Sequence, residues 1–451
     1  MGELFFASLS LGLIGFGGGM SVLEVIRNRM VTRRGWVTDR EFTNAATLSQ
    51  MLPGGASSNT LAYLGLRFHK LKGALAGYLG FLLPGAVSIT ALAWVYARFG
   101  AIPHADAFLQ GLNAGVVGVI GAITFKMLRT SVARLWQMAV AAGALLLSLV
   151  GEASSLEVAL VGIVAGLMLD LGFERARLWR FKRHLKREPE TPVALPEEGQ
   201  ALPVHEFRSD PDAPSPEDGG PPVDERRRAE HRPEVGHEDV HEEDDAEDKD
   251  VAPPDPSRLR VLLVLLLPAL AFGLTRGEAL ARLVVVFFRT GLGAYGGGFA
   301  IIPTLHQTVS GNHWLTERQF TDAVAVGKLT PGPVLLMATF IGYLRAGIAG
   351  AFAATLGIFA APFLLITVVG TWLDRMRSRR WVRAALRGLT PAVVGLMAAA
   401  ALTLGQTLQT GAGLGIAAAV ALTLVRFELN PVPLLALAGV ARLGLHLFAG
   451  Y

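Results

Sequence analysis

Two cations stand where an apolar chain has little reason to carry them. Arg289 interrupts the stretch Leu283–Ile302, and Lys328 lies three residues before Pro331. An ionisable group at membrane depth is costly and normally faces the bundle interior, so the pair points to neutralisation of a bound anion. Arg289 is seven residues before Gly296, about two helical turns, which would put both on one face. Snorkelling to the interface is the competing role for either cation. Their neighbours suit the same chemistry. The glycine runs Gly17-Gly18-Gly19 and Gly296-Gly297-Gly298 would let backbone approach a ligand, close helix packing being the structural alternative. Pro53-Gly54-Gly55 and Pro331-Gly332-Pro333 each break an apolar run. A helix restarting at Gly54 or Gly332 offers free N–H groups and a positive dipole end, which suit an anion. Ser57, Ser58 and Asn59 follow the first break and add donors. Glu24, Asp322 and Glu157 are the few acids near the apolar segments; each is a candidate proton-coupling group or an interfacial or capping charge.

Other chemistry is absent from the pattern. There is no cysteine, hence no disulfide framework, thiolate metal site or cysteine nucleophile. No His-Glu-x-x-His, Ser/Lys pair or paired intramembrane carboxylates support an enzyme. No Gly-x-x-x-x-Gly-Lys-Ser/Thr supports direct ATP coupling. No cofactor and no nucleic-acid partner are expected.

The elements that must position these residues are membrane helices. The chain has 451 residues, 51% hydrophobic and only 17% charged, against about a quarter charged in a soluble chain. Uncharged runs recur at bilayer length over Leu4–Leu23, Phe42–Leu66, Gly73–Ala97, Ala107–Phe125, Ala346–Leu373 and Gly388–Val425. Leu135–Gly151, Ala153–Leu169, Val261–Thr275 and Pro431–Ala449 are weaker candidates. The opening Met-Gly-Glu has no basic n-region, so a removed signal peptide is not expected. Residues 188–257 are different in kind. They hold 23 of the 37 acids but six of the 41 Lys and Arg, and such a stretch cannot bury enough apolar surface to offset its ordering entropy. It reads as a disordered acidic cytoplasmic linker. Its His231, His237 and His241 lie among acids but lack structural-metal spacing.

Either side of that linker the sequence is written twice. Twenty residues from Trp36 to Gly55 align without gaps on Trp314 to Pro333 with eight identities. Phe16-Gly17-Gly18-Gly19 answers Tyr295-Gly296-Gly297-Gly298, Pro84 answers Pro362, and Gly111-Leu112 answers Gly388-Leu389. Ser10 and Gln50 stand where the second half has Arg289 and Lys328. Thr38-x-x-Glu41 and Thr316-x-x-Gln319 fit capping boxes, so a helix begins at each. Each runs about 14 residues to its Pro-Gly, roughly 21 Å, short of a hydrocarbon core of about 30 Å. The helix therefore breaks at membrane depth and resumes, facing protein or a watery cavity. Paired broken helices in two halves point to a transporter site.

Lys and Arg should mark the cytoplasmic side. Arg375–Arg383 is basic where the equivalent 98–106 loop is nearly neutral, which implies inverted repeats. Arg27, Arg29, Arg33 and Arg34 dissent unless part of the first half is re-entrant. The expectation is an all-α polytopic membrane protein of about 13 segments in two inverted-topology repeats with broken helices. Residues 1–187 form the first repeat, 188–257 the linker, and 258–451 the second repeat with one extra segment before it.

These residues also carry a resemblance. Gly-Phe-Gly-Gly, Trp-Val-Thr-x-x-Glu-Phe and Pro-Gly, answered by Tyr-Gly-Gly-Gly-Phe-Ala-Ile-Ile-Pro, Trp-Leu-Thr-x-x-Gln-Phe and Lys-Leu-Thr-Pro-Gly-Pro, resemble the chromate ion transporter family in its long, two-domain form. The resemblance covers both halves. It departs at Gly17-Gly18-Gly19, where the family has Gly-Gly-Pro, and at Pro53-Gly54-Gly55, where it has Pro-Gly-Pro. It implies chromate efflux across the bacterial inner membrane, with sulfate as a related oxyanion, a rival transported anion or an anion channel being the alternatives. Arg289 and Lys328 would neutralise the anion and the helix ends at Gly54 and Gly332 would donate to it. The expected partners are that oxyanion and the lipid bilayer, with assembly as a homo-oligomer left open.

Overall fold

The computed structural model describes residues 1–15, 20–99, 105–151, 153–185, 277–376, 379–408, 410–427 and 429–449. Met1–Ala176 and Ala252–Tyr451 form one compact unit; Arg177–Val251 is a second, of which the described part is the end of one helix. The linker, the extra segment Val261–Thr275 and Gly17, Gly18 and Gly19 lie outside the described residues.

All described regular structure is helical. The first half runs α1 (Gly2–Ile14), α2 (Met20–Arg27, prolonged by a π-turn Asn28–Arg33), α3 (Asp39–Met51), α4 (Ala56–Phe99), α5 (Ala105–Ser131), α6 (Leu135–Leu149) and α7 (Ser155–Leu185). The second half repeats the order as α8 (Glu278–Leu292), α9 (Ile302–Gly311), α10 (Glu317–Leu329), α11 (Met337–Leu364), α12 (Gly370–Met376), α13 (Arg380–Gly405), α14 (Gly411–Arg426) and α15 (Pro431–Ala449). Both capping boxes form. The Thr38 hydroxyl accepts from the Glu41 N–H while the Glu41 carboxylate accepts from the Thr38 N–H, and Thr316 and Gln319 do the same.

α4 is a hairpin of two helical arms and not one continuous helix. One helix of 44 residues would be about 66 Å long and would separate Gly65 from Gly73 by about 12 Å. Instead a Cβ on either glycine would collide with the carbonyl oxygen of the other, and one on Gly77 would lie 2.6 Å from the Leu61 carbonyl. The chain reverses at His69 and Lys70, where φ is −138° and 50°. A short arm, 56–68, thus lies antiparallel to a long one, 71–99. α11 repeats the device. It reverses at Ala346 and Gly347, with φ of −149° and 60°, Gly342 packs on Gly350, and the Thr339 and Thr355 hydroxyls meet at 2.7 Å.

α3 and the short arm of α4 form a second hairpin. Arg67, near the end of the arm, is ion-paired with Glu41 at the start of α3, at 3.1 Å, so the Pro-Gly between them is the tip of a re-entrant loop. α10 returns in the same way, since a Cβ on Gly327 would lie 2.9 Å from Met337 Cβ. The expectation that each broken helix resumes across the membrane is corrected here: it turns back.

The halves interlock reciprocally. α5 packs on α14 and α15, and its counterpart α13 packs on α6 and, through Gly162 and Gly166, on α7. The end of each long arm meets the short arm of the other half: the Tyr63 hydroxyl donates to Asp374 at 2.9 Å, and the Tyr96 ring lies against Phe340 at 5.2 Å. Nearer the middle, Tyr78 packs on Phe359 and Phe363. The two long arms therefore run antiparallel, as a pair of inverted repeats requires.

This topology also places the dissenting arginines. Arg34 pairs with Glu3 at the start of α1 and Arg27 with Asp39 at the start of α3. α1 and α2 thus go in and come back, which keeps Arg27–Arg34 at the same end as Arg67 and Arg375. The count of about 13 segments is not reached among the described residues. Five helical runs are long and apolar enough to cross a membrane, and Gly2–Ile14, Leu135–Leu149 and Gly411–Arg426 are shorter apolar helices. Leu4–Leu23 and Phe42–Leu66 are not single spans: α1 and α2 are separate helices that run in and back, and Phe42–Leu66 is divided at its Pro-Gly into α3 and the short arm of α4. The protein is a multi-pass, all-α membrane protein.

Candidate functional site

The two Pro-Gly tips meet in the middle of the bundle. A Cβ on Gly55 would lie 3.1 Å from Pro333 Cβ. Each tip also lies beside the proline within the other half's long arm: Gly54 faces Pro362, and the Pro331 carbonyl packs on Gly85, next to Pro84. Both tip glycines have positive φ, 114° at Gly54 and 104° at Gly332, a conformation in which a side chain is strained.

Backbone hydrogen bonds cross the same centre in pairs. The Gly54 N–H donates to the Ala294 carbonyl at 2.8 Å, and the Gly332 N–H donates to the Gly15 carbonyl at 3.0 Å. Each acceptor lies just before the glycine run of the opposite half in sequence. This corrects the expectation that these two N–H groups are open to an anion; they tie the halves together, because a buried N–H must be paired. The polar residues after the first tip serve it too. Ser58 Oγ donates to the Gly55 carbonyl at 2.9 Å, Asn59 Nδ2 to the Pro53 carbonyl at 3.0 Å, and Thr60 to Ala56. Ser57 is buried beside them, and Asn59 Oδ1 is buried with no hydrogen-bond partner among the described residues. The donors expected from Ser58 and Asn59 therefore brace the turn. Gly296 and Gly298 are packing positions: a Cβ would meet Val393 at the first and Leu335 at the second, and Gly297 lies between them in a short 3-10 turn.

Of the two expected cations the structure brings one inside. Lys328 is 4% exposed, in the last turn of α10 just before the second tip, with Nζ 4.5 Å from the centre of the Phe299 ring. Gln50, its counterpart, is exposed. Arg289 is exposed as well, which corrects the pairing. α8 ends at Leu292 with Gly293 as its cap, so Gly296 is not on the helical face from which the shared position was inferred.

Above Lys328, α10 lines a cavity of about 630 Å³ enclosed by α5, α9, α13, α14 and α15 and bordered by Asp106, Gln110, Asn113, His306, Arg318, Asp322 and Arg442 among others. Thr321 lies on its wall, and Ala325 and Lys328 continue the same helical face at i+4 and i+7, leading from cavity to tip. At the other end, α3 faces a more open vestibule of about 540 Å³ bordered by Arg40, Glu41, Asn44, Tyr63, Arg67, Thr371, Asp374 and Arg375. Arg40 and Arg318, and Asn44 and Asp322, are equivalent positions, so the vestibules are related by the repeat, one at each end. Asp322 is 1% exposed. Its carboxylate accepts from the Tyr96 hydroxyl at 2.8 Å and from Asn113 Nδ2 at 3.2 Å. Tyr96 and Asp374 lie twelve residues past Pro84 and Pro362 respectively, a register that could have drawn attention to them from the sequence; Asn113 and Phe299 carried no such signal. Among the described residues no group of His, Asp and Glu is arranged to hold a metal ion.

The Chromate transporter family model matches residues 2–169 and 281–443, spanning both repeats. A chromate transport protein of Cupriavidus metallidurans is 25% identical over 448 residues, 98% of this chain and 92% of that protein. A probable chromate transport protein of Synechococcus elongatus is 26% identical over 404 residues, 88% of this chain and 83% of its own length. A chromate transport protein of Pseudomonas aeruginosa is 24% identical over 463 residues, covering 97% and 91%. No solved structure matches the chain.

Proposed function

Starting from the fact that this chain belongs to the chromate transporter family, we propose that it is a secondary transporter exporting chromate, a tetrahedral divalent oxyanion, across the bacterial inner membrane. The observation that carries the reading is Lys328, a cation buried at the tip of a re-entrant helix where two inverted halves cross. A cation held at this depth places positive charge where the halves cross, and a dianion reaching the tips would be attracted to it. Gly54, Gly332, Ser58 and Asn59 hold the tips in shape, and Ser57 and the glycines 296–298 set how closely backbone approaches; Gly17–Gly19 are the counterparts of 296–298 in sequence.

Alternating access then follows from two vestibules at opposite ends, each reaching its own re-entrant loop. Arg40, Arg67 and Arg375 at one end, together with the arginines of α2, mark that end as cytoplasmic and concentrate the anion there before export. The chain acts as a carrier rather than as an enzyme. Sulfate, of the same shape and charge, is the expected competitor. The test is chromate flux in proteoliposomes of the purified chain. Saturable uptake that sulfate inhibits, lost in Lys328→Gln, is the expected result. Flux that never saturates would mean a channel, and no flux above empty vesicles would remove the reading.

A further inference from the structure

Beyond its capped first turn, the second re-entrant helix carries two charges that the first lacks. Where α3 has Asn44 and Gln50, α10 has Asp322 and Lys328. The aligned segments are otherwise matched closely enough to build the same capped helix and the same tip. An acid and a base have therefore been placed as a pair on one helix, six residues and about 9 Å apart along the axis. Lys328 is accounted for by the anion. Asp322 is not, and a dianion held near Lys328 would be repelled by it.

The surroundings of Asp322 let it carry a proton without losing its place. Tyr96 from α4 and Asn113 from α5 donate to its two oxygens. The Tyr96 hydroxyl can turn to accept instead, so the protonated carboxyl keeps both contacts. Arg318 Nε, on the same helix, is 4.0 Å away, but that guanidinium also grips Asp106. The other charged or titratable groups around the cavity are Arg442, whose guanidinium reaches Gln110, and His306, whose ring nitrogen meets Glu317 at 2.5 Å. Asp322 borders the cavity of about 630 Å³, through which water can deliver the proton.

We propose that Asp322 is a proton-binding site linked to the anion at Lys328, so that each bound anion draws one proton from the vestibule onto the carboxylate. The step is a simple protonation: a hydronium or water in the cavity gives up H⁺, and the Asp322 carboxylate becomes a carboxylic acid. Linkage is reciprocal, so proton binding tightens anion binding by the same factor. At a separation of about 9–15 Å, the axial rise being the lower bound, and an effective dielectric constant near 20, one unit of charge on Asp322 changes the binding of a dianion by more than tenfold.

This rests on the reading of Lys328 as the anion's cation, and the test separates the two. Chromate affinity of the purified protein is measured from mildly acidic to mildly alkaline pH for wild type and Asp322→Asn. Asparagine imitates Asn44 and keeps partners for Tyr96 and Asn113, and equal melting temperatures confirm folding. Chromate itself protonates within this range, but equally for both proteins, so the ratio of their affinities isolates the residue. At alkaline pH Asp322→Asn should bind at least about tenfold more tightly than wild type, and the gap should close as pH falls. His306→Gln should retain the wild-type pH dependence, which excludes the histidine as its source. A ratio that does not change with pH, or weaker binding by Asp322→Asn throughout, would overturn the proposal and leave Asp322 as a brace between α4, α5 and α10. Failure of the Lys328 reading would show elsewhere, as unchanged affinity in Lys328→Gln.

Discussion

Replacing Lys328 by glutamine removes the one expected cation that the fold buries, and converts the second tip to the composition of the first. The ammonium lies 4.5 Å from the Phe299 ring centre and is 4% exposed. An anion oxygen about 4 Å away, at an effective dielectric constant near 20, would gain about 4 kcal/mol per unit charge, and a dianion more. Desolvation of both ions takes back a large share, and truncating one member of such a pair typically costs about 3–5 kcal/mol. Chromate affinity should therefore fall by between a hundredfold and a few thousandfold, at roughly 1.4 kcal/mol per factor of ten. Stability should change far less than affinity. The unliganded protein loses a cation–π contact of about 2 kcal/mol but no longer buries an ammonium. Titration calorimetry with chromate and thermal melting, on wild type, Lys328→Gln and the apolar Lys328→Met, give both quantities. Affinity within threefold of wild type in both variants, at unchanged melting temperature, would refute the reasoning and make Lys328 a packing residue.

Arg289→Gln, at an exposed position of α8, should leave chromate affinity unchanged in the same titration. Gly54→Ala should abolish flux and lower the melting temperature, because φ is 114° and the new Cβ would lie 2.6 Å from Pro362 Cβ; at least about 1–2 kcal/mol of strain is expected from the backbone alone. Lys70→Gly should stabilise by about 1 kcal/mol, read as a higher melting temperature, since Lys70 has φ 50° and ψ −145° where the second hairpin uses Gly347. Arg98→Cys and Arg379→Cys should label from opposite sides of the membrane, with no background because the chain has no cysteine; labelling from one side would contradict the inverted arrangement. Replacing residues 195–250 by a Gly/Ser linker of sufficient length should preserve flux at equal expression.

What was legible in the sequence were the properties that reside in short segments. Apolar runs with almost no charge can be stable only in a membrane bundle, the duplicated Trp-Thr-Arg-Phe grammar required two similar halves, and both capping boxes formed where Thr38 and Thr316 predicted them. The Pro-Gly motifs could be read as breaks because proline and a positive-φ glycine act on their own local backbone. Whether the chain goes on or turns back after a break depends on what it meets. Only the tertiary structure shows Arg67 returning to Glu41 and Gly65 closing on Gly73, contacts decided by packing between segments that no local preference encodes. The same holds for the donors at Gly54 and Gly332. A helix end has free N–H groups only until another segment satisfies them, and the acceptors are carbonyls about 240 and 317 residues away along the chain, at Ala294 and Gly15. Arg289 and Lys328 looked alike in sequence, each a cation in an apolar run. The rotation of α8 left one exposed while the re-entrant path of α10 carried the other inside, and side-chain burial is a property of the assembled bundle, not of the segment.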